Sequence, residues 1–136
     1  MQFFPILYDN FISNEDLAND LFDSNTYSSV GMIMIITTVI WMPIYYYIIS
    51  NYGKLYKVSV WAIWILIIAI INFSVANYNA GIQLDILYKD TEHGSPYTAL
   101  DLFSFSIINF IWTIVFSFII SIPLKLKSIQ ASKTPF

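Results

Sequence analysis

Three long stretches without a charged residue govern what this chain can become. Residues 24–53, 58–84 and 102–124 hold 30, 27 and 23 residues with no Asp, Glu, Lys or Arg. About 20 apolar residues carry a helix across the ~30 Å hydrocarbon core of a bilayer, so each stretch can cross once. None is long enough for a helical hairpin. The run at residues 61–68 is apolar on every side, as a lipid-embedded helix requires, and lacks the in–out alternation of a transmembrane β-strand. The fold class read from this is all-α: an integral membrane protein with three transmembrane helices, over residues 28–50, 58–77 and 96–124. Composition agrees, with 57% hydrophobic residues, 11% charged and a mean hydropathy of +0.65. A soluble domain carries roughly 25% charged residues.

The segment ends carry local signals. Residues 51–57 form a short basic connection, which makes the first two spans antiparallel neighbours. Ser95 and Pro96 predict the start of the third span, serine as cap and proline at the first helical position. Pro43 lies inside the first span and predicts a kink, because it removes one backbone bond and crowds Val39. Residues 1–27 read as an acidic amphipathic segment. In it Ser13 precedes Glu15 and Asp16, and Leu17, Ala18, Leu21 and Phe22 recur at helical spacing. No cation lies in the first ten residues, so no secretory signal is read there.

Charge sorts by segment. Residues 1–28 hold Asp9, Glu15, Asp16, Asp20 and Asp23 and no lysine. The outer loop at 78–95 and the mouth of the third span hold Asp85, Asp90, Glu92 and Asp101 against Lys89. The first connection holds Lys54 and Lys57, and the tail at 125–136 holds Lys125, Lys127 and Lys133. Lysine bias in short loops marks the inserting side, so the amino terminus is expected outside and the carboxyl terminus inside. Tyr45, Tyr46, Tyr47, Tyr52 and Tyr56 fall at the inner interface, and Tyr27, Tyr78, Tyr88 and Tyr97 near the outer one.

Chemistry-bearing residues are few. There is no cysteine, no arginine and one histidine, His93. Disulfide scaffolds and thiolate metal sites are thereby excluded, and a net charge of −3 argues against nucleic acid. No charged side chain lies in the middle of a span, where proton relays and coupled transporters place one. The polar groups at that depth are neutral. Thr37, Thr38, Asn72 and Asn109 fall in one layer and are expected to hydrogen-bond between helices, Asn72 to Asn109 or to the threonines. Ser106, Asn109, Thr113, Ser117 and Ser121 form a stripe on the third span, and Ala62, Ala69, Asn72, Ala76 and Ala80 form a narrow face on the second. No catalytic motif and no metal-ligand spacing appears, so no enzymatic activity, metal or cofactor is expected, with bound lipid left open.

The amino-terminal segment is too apolar for a free tail. Phe3, Phe4, Leu7, Phe11, Leu17, Leu21 and Phe22 need a surface to cover, and the acids beside them should repel those of the outer loop. They are expected to dock on a basic surface of another chain. The leading reading is a non-catalytic accessory or scaffold subunit of a larger complex in a bacterial inner membrane or an organellar inner membrane. Its partners would be other membrane subunits and the bilayer, with no soluble substrate. The layout of three spans, acidic outer amino terminus and basic inner tail also resembles that of class I phage holins. The resemblance is one of topology, and it implies a homo-oligomeric, membrane-permeabilising pore with the third span lining the opening.

Overall fold

The computed structural model describes residues 3–127; Lys133 and most of the basic tail lie outside them. The described residues are helical with no strand: α1 (Phe3–Tyr8), a 3-10 turn (Asp9–Phe11), α2 (Glu15–Asp23), α3 (Thr26–Tyr47), a second 3-10 turn (Ile49–Asn51), α4 (Val58–Leu87) and α5 (Ala99–Lys127). Three of these helices are long and apolar enough to cross a membrane, α3 with its following turn, α4 and α5. At 1.5 Å per residue, the 30 residues of α4 reach about 45 Å, well beyond the ~30 Å hydrocarbon core. The three pack against one another, while α1 sits on α3 and α5, and α2 sits on α3 and α4.

Several helix boundaries depart from the sequence reading: α3 runs Thr26–Tyr47 where residues 28–50 were expected, and α5 continues to Lys127, past residue 124. The second span continues through Asn79 and Gly81 to Leu87, where a polar loop was expected from residue 78. Asn and Gly are weak helix formers, but the face they share carries Ala76, Ala80 and Leu84, which are buried against the arm formed by residues 3–23. Tertiary packing overrides local propensity there. The third span starts at Ala99, not at Pro96. The Asp101 carboxylate accepts from the backbone N–H of Thr98 at 2.8 Å and from its hydroxyl at 2.9 Å, which satisfies an otherwise orphan donor at the helix start. Similarly, α2 is capped by Asn14, whose side chain accepts from the Leu17 N–H, and not by Ser13.

The buried side chains form two clusters. At the arm end, Phe4, Leu7, Tyr8, Ile12, Leu17 and Leu21 meet Tyr27, Val30, Ala76, Ala80, Leu84, Phe105 and Ile108. At the lysine end, Met42, Tyr45 and Tyr46 of α3 meet Trp61, Ile65 and Ile68 of α4. Ala69, Asn72, Ala76 and Ala80 are buried, but Ala62 is exposed. Ala62 and Ala80 lie five turns apart at the same azimuth, and Ala80 alone has the arm packed over it.

Candidate functional site

Polar chemistry inside the bundle converges on Asn109, which is 1% exposed. Its Oδ1 accepts a hydrogen bond from the Tyr8 hydroxyl at 2.7 Å, and its Nδ2 donates to the backbone carbonyl of Asn72 at 2.9 Å. One amide thus ties α5 both to the arm and to α4. Asn72 is fully buried, yet neither atom of its own amide finds a hydrogen-bond partner among the described residues. The pairing with Asn109 therefore runs through the Asn72 backbone, not the side chain as the sequence suggested.

Both threonines also bond otherwise than expected. Thr37 donates to the Ile33 carbonyl at 2.6 Å and Thr38 to the Met34 carbonyl at 2.7 Å, each within α3. A hydroxyl in an apolar setting is satisfied most locally by the carbonyl four residues back, and that acceptor costs no approach of a second helix. Ser106, Thr113 and Ser121 on α5 do the same, to Leu102, Asn109 and Ser117. Ser121 also accepts from the Trp61 indole at 3.3 Å, while the Ser117 hydroxyl has no partner among the described residues. All five stripe residues are buried, so the stripe faces the chain's own helices. The outward side of α5 carries Ile111, Val115, Phe118, Ile119 and Ile122.

The arm is where the structure most changes the sequence reading. Of the seven residues expected to dock on another chain, Phe4, Leu7, Leu17 and Leu21 are buried against this chain's own helices, and Phe3, Phe11 and Phe22 point outward. Tyr8 stacks on Tyr27 with ring centres 5.2 Å apart, and the Trp112 indole donates to the Leu7 carbonyl at 2.7 Å. The charge conflict expected at the outer loop is resolved by tyrosine. The hydroxyls of Tyr88, at the end of α4, and Tyr97, before α5, both donate to one carboxylate oxygen of Asp20. Burial, then the bond to Asp20, raises the Tyr97 phenol above its ordinary value; the bond to Asp20 is the main cause that raises Tyr88.

Sequence reasoning missed Tyr8 as the partner of Asn109, and Asp20, Tyr88 and Tyr97 as a connected set. A signal for Tyr8 did exist: it is the single hydroxyl in an otherwise aromatic and aliphatic patch, and a phenol buried there requires an acceptor. Among the described residues, no group of three His, Asp or Glu side chains converges to hold a metal ion, and His93 is exposed in its loop. No family model, curated protein or solved structure matches this chain.

Proposed function

We propose that this chain is a non-catalytic accessory subunit of a larger membrane complex in a bacterial or organellar inner membrane, with its amino terminus outside. The observation that carries the reading is how little the bundle covers itself. In the most apolar 18-residue stretch of each span, 28% of the residues are buried within the chain, which leaves the rest to lipid or to other subunits. Above the membrane the docked arm turns a built surface outward, with Glu15, Asp16, Asn19 and Asp23 beside exposed Phe22. An apolar anchor ringed by acids suits a basic partner surface.

The pore reading loses support from the same side chains that suggested it. A channel between copies needs polar groups on the outward side of α5, and the stripe lies inward.

Because the arm is part of the core, deleting it would damage the fold, so surface variants make the test. The combination Asp16→Lys, Asp23→Lys and Phe22→Ala should abolish recovery of a stoichiometric second chain in mild detergent while leaving helicity intact. Recovery of identical chains alone, with or without the substitutions, would overturn the subunit reading.

A further inference from the structure

We propose that the cleft between the arm and α5 binds one phospholipid bearing an ethanolamine headgroup, drawn from the leaflet on the arm's side. The proposal rests on membrane embedding alone and is independent of the accessory-subunit reading.

Two cavities share Phe11 and Ile108 and so form one continuous groove. The upper, of about 440 Å³, has Ser13, Asn14, Asp101 and Ser104 among its lining, with Leu17 and Ile107. The lower, of about 190 Å³, is walled by Phe11, Ile108, Ile111, Trp112 and Val115. The single polar atom of that wall, the Trp112 indole nitrogen, is turned to the Leu7 carbonyl. Phe11 stands edge-on to Trp112, ring centres 6.3 Å apart. The groove therefore gathers its polar side chains at the upper end, set among apolar ones, and is apolar throughout at the lower, in the order in which a lipid presents its parts.

Length supports the same occupant. On α5 the groove runs from Leu100 to Val115, about 22 Å at 1.5 Å per residue. One leaflet with its headgroups is half of a ~40–45 Å bilayer, or about 20–22 Å. The narrow lower part suits an acyl chain better than a helix, whose diameter with side chains is ~10–12 Å. A second copy of this chain would bring the same acidic arm against itself.

Charge selects the headgroup. The groove's polar lining offers a carboxylate, an amide and two hydroxyls, with no lysine, and the neighbouring arm adds five acids without a cation. An anionic glycerol headgroup is repelled there. A primary ammonium donates hydrogen bonds to such acceptors, as a lysine does, and a quaternary choline headgroup has no N–H to donate.

The test uses the full chain in nanodiscs of equimolar phosphatidylethanolamine and phosphatidylglycerol, released into mild detergent for native mass spectrometry. One phosphatidylethanolamine should be retained about fivefold over phosphatidylglycerol, the ratio provided by one charged contact near the surface. Ile111→Trp, at a site where the side chain is 54% exposed and the helix tolerates bulk, fills the lower groove and should remove the adduct. Val115→Phe is a second filling variant with the same expectation. Ser104→Lys at the rim should keep an adduct but reverse the preference toward phosphatidylglycerol. Equal retention of both lipids by the parent chain, an unchanged adduct in either folded filling variant, an unchanged preference in Ser104→Lys, or a dimer cross-linked through Phe11 would each overturn the proposal.

Discussion

Replacing Asn72 with leucine removes two buried polar atoms that have no hydrogen-bond partner among the described residues and keeps most of the side-chain volume. An unsatisfied buried amide costs about 1–3 kcal/mol, so Asn72→Leu should raise the thermal midpoint in detergent. Asn109→Leu should do the opposite, by about 1–3 kcal/mol, because it strands the Tyr8 hydroxyl and frees α4 from α5. A double-mutant cycle with Tyr8→Phe checks the assignment. The penalty of Tyr8→Phe should shrink once Asn109 is gone, and additive penalties would show that the two side chains do not act together. Depth along the helices was enough to place both asparagines in the interior. Who bonds to whom was not legible, because the partner of Asn109 sits 101 residues earlier in the sequence.

At the scale of elements, the arm is held to the bundle at three points that can be tested apart. Gly31 of α3 lies beneath the Phe4 ring, and a Cβ there would come within 2.2 Å of it. Gly31→Ala should lift α1 at a cost of about 1–3 kcal/mol, as overpacking does, and expose residues 3–23 to protease. Phe4→Leu should restore protection in that background but not improve the parent chain. Trp112 and Leu7 form the second point, and the tyrosine pair on Asp20 the third. Folding raises both phenols above their ordinary value of 10.0, so their contribution is complete below that pH and is lost as pH climbs through the raised values. Arm protection should therefore be constant near neutrality and fall in strongly alkaline solution. The double variant Tyr88→Phe, Tyr97→Phe should lose that alkaline step, and its persistence would assign it to other groups. The helical apolar spacing of α2 was readable from sequence. That α2 packs onto its own bundle was not, since like-charge repulsion argued against it and neutral hydroxyl donors to Asp20 do not show in a charge count.

Across the whole molecule the three spans alternate in direction, so the acids gather at the end where Asp20 meets Tyr88 and Tyr97, and Lys54, Lys57, Lys125 and Lys127 gather at the other. Single cysteines replacing Asn19 and Glu92 should react with an impermeant thiol reagent from the outside, and one replacing Asn51 from the inside. All three positions are exposed, and the chain contains no other cysteine to confuse the result. Labelling of Asn51 and Asn19 variants from one face would remove the transmembrane path of α3. The three long helices and the all-helical class were legible because uncharged length alone decides them in a bilayer. The arm end was less so: α4 runs ten residues past the expected boundary at residue 77 because the arm gives those turns something to pack against.

The bond between Tyr8 and Asn109 also sets a schedule for biosynthesis. A ribosome adding 5–20 residues per second needs about 5–20 s to travel from one partner to the other. During that interval the arm has been made but the last of the helices that receive it has not. Phe4 can settle over Gly31 and Tyr8 against Tyr27 of α3 beforehand, but the Tyr8 hydroxyl and the Leu7 carbonyl must wait for their α5 partners, and the nascent arm is most open to capture by a neighbouring chain just then. Full closure of the arm thus reports that the last span has arrived, and a chain cut short before residue 109 would lack the Tyr8–Asn109 and Leu7–Trp112 bonds that fasten the arm to α5.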